Sequence, residues 1–318
     1  MKNLKVRFLL LGLSIAFFSL TVSAWNDVGH KLTSYIAWQR MSPTVRENII
    51  KILLKAPEDS HLAVFYPQDS RSIHARQLEF FMIAACWSDI VRDRDFQVRY
   101  KKYHQSNWHY SDTFWTLENG QVKILDNPSA EGGKAVEKLF EFNKMMRDSS
   151  VTDDQKAIAI AWFLHLAGDL HQPLHTSARI TELEPKGDLG GNTFLLTPKN
   201  TPRENQVSLH WFWDSIVSRV VERKNDAPDS VYLPPIAARI MKKYPFARMK
   251  NRLRPGQFDE WQKESFSLAT REVFPPTLVR EQMPSKRYIR NAFRISEEQI
   301  ALAGYRMGEM LNEIFGKK

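Results

Sequence analysis

The chain has 318 residues, 43% of them hydrophobic, a formal charge of +9 and a single cysteine, Cys86. The length excludes a mini-protein without a core of its own, and one cysteine excludes any internal disulfide framework. The basic excess favours polyanionic partners, but Lys and Arg are spread along the sequence, which excludes a concentrated nucleic-acid-binding arm.

Residues 1–24 read as a secretory leader. Lys2, Lys5 and Arg7 precede an apolar run from Phe8 to about Leu20, and Val22-Ser23-Ala24 supplies the small residues of a cleavage site. The run is short for a membrane span and no other stretch approaches one. The expected mature chain therefore begins at Trp25, outside the cytoplasm, periplasmic or secreted, without stable membrane insertion. Removing the three basic leader residues leaves +6 of the +9. With no repeat and no low-complexity linker, residues 25–318 are expected to form one domain acting as a monomer.

Cleavage before Trp25 would free an α-amine five residues ahead of His30. That amine and its own carbonyl oxygen can chelate an ion in a five-membered ring, with His30 joining one helical turn on. From position alone the plainer reading is favoured: a core tryptophan and a surface-helix histidine. Ser42-Pro43 then signals a helix start before the apolar series Val45, Ile49, Ile50, Leu53, Leu54. Asp89 and Arg92 stand three apart in Trp87-Ser-Asp-Ile-Val-Arg92, ordinarily a local ion pair. Asn107-Trp-His109-Tyr110-Ser-Asp112 is ordinarily a polar loop cluster.

Thr152 with Gln155 reads as a capping box opening a long amphipathic run. That run carries His165-Leu-Ala-Gly-Asp169-Leu-His-Gln-Pro-Leu-His175, and a second His-x3-Asp pair follows at His210-Trp-Phe-Trp-Asp214. An imidazole and a carboxylate four apart share one helical face and can reach one ion. Nitrogen donors mixed with carboxylates favour zinc over magnesium or calcium. Between the two pairs, Gly191–Thr197 is expected to give one strand of a small hairpin. Long loops are expected at Pro185–Pro202 and Pro275–Pro284. Ser296 with Gln299 reads as a capping box opening the last helix. The fold class is all-α: a single, mostly helical domain with a small β-hairpin.

The ordered series Trp-x4-His, Trp-x-Asp-x2-Arg, His-aromatic-x-Asp, His-x3-Asp-x5-His, Gly-Gly-Asn and His-x3-Asp resembles the zinc-dependent single-strand nucleases of the S1/P1 family. The resemblance runs from Trp25-Asn-Asp-Val-Gly-His30 to Ala303-Gly-Tyr-Arg-Met-Gly-Glu-Met-Leu-Asn312. It implies an all-helical fold around three zinc ions, and it lifts Trp25 and His30 to ligands. Matched position by position, Asp89, His109, His165 and Asp169 would hold one ion. Trp25, His30 and a bridging Asp169 would hold the second, and His175, His210 and Asp214 the third. Asp89 would also orient the attacking water, and Arg92 would meet the phosphate. Asn192 would help to fix it, while Tyr110 and Asp112 would form a nucleobase pocket. The implied substrates are single-stranded DNA and RNA, cleaved to 5′-phosphates, and 3′-nucleotides.

Departures are small: Ser88 replaces a usual alanine and Tyr110 a common phenylalanine. The absence of internal disulfides points to a bacterial member. His61, His74, His104 and His171 carry no implied role. Two rivals stand beside this reading. A zinc phospholipase C usually ends in His-x3-Glu, against His210-x3-Asp214 here. A non-catalytic zinc- or nucleic-acid-binding surface protein would close its ions with four ligands, whereas His175, His210 and Asp214 leave a position open.

Overall fold

The computed structural model describes residues 25–125, 131–224 and 227–316; the leader expected at residues 1–24 lies outside them. In chain order the elements are α1 (Asp27–Arg40), α2 (Pro43–Leu53), α3 (Ile73–Ile90), α4 (Gln97–Tyr103), β1 (Thr113–Glu118), β2 (Gln121–Ile124), α5 (Ala135–Arg147) and α6 (Asp153–Asp169). Then come β3 (Ser177–Arg179), α7 (Leu209–Asp214), α8 (Ile216–Val220), α9 (Asp229–Lys243), α10 (Phe246–Met249), α11 (Phe258–Leu268) and α12 (Lys286–Phe315). The all-α expectation holds. No described helix is long and apolar enough to cross a membrane.

The middle of the bundle is α6, whose residues are buried without interruption from Ala159 to Asp169. A helix covered on all sides belongs at the centre of a domain, and α1, α2, α3, α5 and α12 pack around it. Its start is fixed by the Thr152–Gln155 capping box, as the sequence predicts. Likewise Ser42 accepts from the amide of Val45 and caps α2. Two apolar clusters fill the interior. The α6 residues Leu164, Leu166 and Ala167 belong to one, and the α7 residues Leu209, Phe212 and Trp213 to the other.

The first helix lies along the last. A β-carbon at Gly304 would come within 2.6 Å of the Ile36 side chain, and one at Gly308 within 2.6 Å of Arg40 Cβ. These two glycines, one turn apart on α12, let the helix axes approach closely. Gly304→Ala is accordingly expected to destabilise the fold by about 1–3 kcal/mol, the cost of overpacking a tight core. Denaturant unfolding would check it, and an unchanged midpoint would contradict the close packing.

Two local expectations are corrected. The hairpin is not at Gly191–Thr197, where Leu195 makes only an isolated bridge to Ser208. It is formed by β1 and β2 around Asn119-Gly120, both at positive φ (52° and 79°), the geometry that favours this dipeptide in two-residue turns. β3 adds to β1 in parallel. Ser296 does not open the last helix: α12 starts ten residues earlier, capped by Ser285, which accepts from the amide of Tyr288. The buried series Tyr288, Ala292, Ile295, Gln299, Leu302 continues through Ser296 at helical spacing, so the stripe carries the helix past the apparent cap. The loops expected at Pro185–Pro202 and Pro275–Pro284 contain no helix or regular strand.

Candidate metal centre

Helix geometry delivers the first two donors. His165 and Asp169 are one turn apart at the C-terminal end of α6, with His165 Nε2 3.3 Å from Asp169 Oδ2. His109 follows a short helical turn, and its Nδ1 lies 2.9 Å from His165 Nε2 and 3.3 Å from Asp169 Oδ2. Asp89, at the end of α3, completes the group, with Oδ1 3.8 Å from His165 Nε2 and 4.0 Å from His109 Nδ1. On the other side of Asp169, its Oδ1 lies 3.2 Å from His30 Nε2. Asp169 thus turns one oxygen to each side. The ring of His30 stacks on that of His165, centroids 3.9 Å apart.

His30 fits there because residue 168 is glycine: a β-carbon would lie 2.9 Å from His30 Nδ1. Trp25 is fully buried beside it, its indole donating to the Gly168 carbonyl at 3.0 Å. Asn26 N in turn donates to the Asp214 carbonyl at 3.1 Å. The start of the described chain is thereby tied to the ends of both ligand-bearing helices, α6 and α7.

The third group comes from α7 and the turn after α6. His210 Nε2 lies 3.3 Å from Asp214 Oδ2, and His175 Nε2 3.5 Å from Asp214 Oδ1. His30, His165 and Asp169, Asp89, His109 and His165, and His175, His210 and Asp214 each place their donor atoms within 4.8 Å of one another.

Several of these imidazoles are oriented from behind. Nδ1 of His165 donates to Ala85 O, that of His175 to His109 O and that of His210 to Gly190 O, each at 2.7 Å. A proton held on Nδ1 leaves the Nε2 lone pair pointing inward, as a metal ligand requires. The Gly190 carbonyl can be there because Gly190 and Gly191 adopt φ of +61° and +79°, and a β-carbon at Gly190 would sit 2.5 Å from Leu174 O.

Burial makes the pocket unfavourable for its own charges. It raises Asp89 to about 7, Asp169 to about 8 and Asp214 to about 6, and lowers His30 to about 4. His109 and His165 are pushed well below their usual range, and His175 and His210 below it, by the same loss of water. Buried polar atoms without hydrogen-bond partners include both His30 nitrogens, Asp169 Oδ1, His175 Nε2 and Asp214 Oδ2. Orphaned, inward-facing donors of this kind are what a bound cation satisfies.

One pH effect follows for protein stripped of metal. Above about pH 7.5, one unit over the ordinary imidazole value, histidines are nearly all neutral whether folded or unfolded, so only the raised carboxylates still titrate. Asp89 and Asp169 keep protons when folded that the unfolded chain has already lost, so stability must fall as pH rises through about 7 to 8. The melting temperature of chelated protein is expected to drop between about pH 7.5 and 8.5. A flat profile would contradict the burial of these two groups.

The remaining sequence-predicted residues surround this centre. Arg92 Nη2 pairs with Asp89 Oδ1 at 3.0 Å, both side chains about 15% exposed, so the expected ion pair stands at the edge of the first group. Tyr110 is half-buried, and the Ser111 amide after it donates to His175 O at 2.9 Å, which sets the Tyr110–Asp112 segment between the first and third groups. Asp112 Oδ1 is buried without a partner, and burial, then the charge of Asp188, holds its carboxyl well above the usual range. Asn192 lies in the glycine loop that wraps His210, its Nδ2 bonded to Leu189 O at 2.8 Å.

Sequence reasoning missed Gln172, whose Nε2 donates to Asp214 Oδ1 at 2.7 Å while its Oε1 accepts from the Leu174 amide. Its place inside the His-Gln-Pro-Leu-His run was the available signal. His171 has no place among the donors, as expected: it is buried, donating to Ala167 O at 2.6 Å and accepting from Arg306 at 2.8 Å.

Fold and site together define a mostly helical protein with a candidate multinuclear metal centre of histidines and aspartates. The chain belongs to the S1/P1 nuclease family, whose model matches residues 25–316. It is similar to Endonuclease 2 of Arabidopsis thaliana, 21% identical over 227 residues, which cover 70% of this chain and 65% of that relative. The chain thus spans a little under two thirds of the length of that relative.

Proposed function

We propose that this protein is an exported, monomeric, zinc-dependent phosphodiesterase of one domain, residues 25–318, that hydrolyses single-stranded DNA and RNA to 5′-phosphate products and also acts on 3′-nucleotides. The observation that carries this reading is the convergence of three donor groups, several of whose inward atoms lack partners. Asp89, His109, His165 and Asp169 would hold one zinc, Trp25 (amine and carbonyl), His30 and Asp169 a second, and His175, His210 and Asp214 a third. Zinc there supplies a Lewis acid that polarises phosphoryl oxygens and acidifies water from about 15.7 towards 7.

The chain's own residues do the rest. Asp89, on the edge of the pocket, orients the attacking water by accepting its hydrogen bond. Arg92, held by Asp89, presents its planar guanidinium to the charge that grows on the phosphoryl oxygens in an in-line displacement. Asn192 would help fix the phosphate once its amide leaves the loop carbonyl. Tyr110 offers a face for stacking and Asp112 an unsatisfied acceptor for base-edge donors, which only an unpaired base can reach.

The test is incubation of the mature protein with single-stranded DNA, RNA, a 3′-mononucleotide and phosphatidylcholine, with and without chelator. Hydrolysis of the first three is expected, abolished by chelation together with a fall in melting temperature. Hydrolysis of phosphatidylcholine alone would replace the reading with a phospholipase. Retention of DNA without shortening it would replace it with a binding protein.

A further inference from the structure

Of the nine tryptophans in the sequence, eight are buried or half-buried, and the exception is Trp211, 37% exposed. It directly follows His210 and is the only exposed residue of α7, whose other five side chains are buried. Its indole takes no part in the aromatic contacts of the core. One turn on, Ser215 Oγ donates to Trp211 O at 2.5 Å, and one turn further Arg219 Nε donates to that same Oγ at 2.5 Å. Trp211, Ser215 and Arg219 therefore form one row at i, i+4, i+8 along α7 and α8.

Arg219 is unusual too. It is half-buried, and among the described residues no carboxylate lies within ion-pair distance of it, whereas Arg223, just past the end of α8, is paired with Asp229 at 2.6 Å. Burial lowers its pKa with no acidic neighbour to oppose the shift. A partly desolvated guanidinium without a counter-ion and a partly exposed indole are both costly, and a nucleotide offers what each lacks: a π-face and a phosphate.

We infer that Trp211 and Arg219 form a subsite for a nucleotide of a single strand lying outside the scissile bond, with the base stacked on the indole and a phosphate on the guanidinium. The inference rests on the phosphodiesterase reading above and adds to it a preference for extended strands. The subsite adjoins the third donor group because its helix carries both His210 and Asp214. Trp211 on α7 and Arg219 on α8 are linked through Ser215, whose Oγ donates to Trp211 O and accepts from Arg219 Nε. The subsite makes no demand on base identity, since every base has a stacking face.

The experiment compares kcat/KM for a ten-nucleotide single-stranded DNA with that for a dinucleotide, using metal-loaded enzyme. Trp211→Ala should lower this ratio about five- to hundredfold, the range of one base–aromatic stack, chiefly through KM for the long strand. Trp211→Phe should restore most of it. Arg219→Gln should reduce the slope of log KM against log salt by about 0.7, one phosphate's worth for a single strand. An unchanged ratio in Trp211→Ala with full metal content overturns the inference. Should that variant lose metal or unfold, an unaltered salt slope in Arg219→Gln overturns it instead. Failure of the unmodified enzyme to cleave either substrate removes the phosphodiesterase reading and the subsite with it, whereas cleavage with an unchanged ratio removes the subsite alone.

Discussion

Asp169→Asn is expected to lower hydrolysis by more than about a hundredfold and to leave the protein short of one ion. Asp169 is fully buried and faces His30 with one oxygen and His109 and His165 with the other. Asparagine keeps one acceptor but replaces the second with an amide that donates, so only one side can still be served. The charge lost is also one of the three carboxylates that offset the cations. Outer-shell partners of metal ligands are already worth about ten- to hundredfold, and a shared ligand must exceed that. Metal analysis and a nuclease assay on the same preparation would check it. Full metal content with near-normal turnover would remove the bridging role.

The second large effect concerns the residue before Trp25. An added methionine turns the Trp25 amine into an amide, a poor zinc donor, and it must do so in a crowded place. The Trp25 indole is locked onto Gly168 O, Asn26 is tied to Asp214 O, and Gly29 allows no β-carbon against the Trp25 side chain, 2.9 Å away. Protein made with Met before Trp25 is expected to carry one zinc fewer and to be nearly inactive. Protein cleaved after Ala24 should be fully active. Mass spectrometry fixes the terminus, and equal zinc and equal rates for the two forms would take the amine out of the chemistry.

The parts of this centre that could be read from sequence are those where chemistry is local. His165 with Asp169, and His210 with Asp214, announce themselves because a helix puts residues four apart on one face. Asp89, His109 and His30 do not: each looks like an ordinary surface or loop residue, and only the order of motifs along the chain joined them. What orients the ligands stayed out of view because it is backbone. The carbonyls of Ala85, His109 and Gly190 that hold the Nδ1 protons belong to residues whose side chains carry no such message. The hairpin was legible in Asn119-Gly120 between Thr113–Glu118 and Gln121–Ile124. Gly191–Thr197 imitated it because its glycines serve the backbone around His210. At Ser296, a capping pattern in sequence was overruled by a buried stripe running through it.

The meeting of α1 with α12 across Gly304 and Gly308 also sets a schedule for the chain's birth. The helix α1 is made long before the 30-residue α12 that covers its inner face, which carries Leu32, Ile36 and Ala37. At about 5–20 residues per second, roughly ten to fifty seconds separate the making of the two. Through that interval an apolar surface stands without its match, and the long loop it must close is slow to form. The inner face of α1 is therefore completed only after nearly all of the described chain has been made.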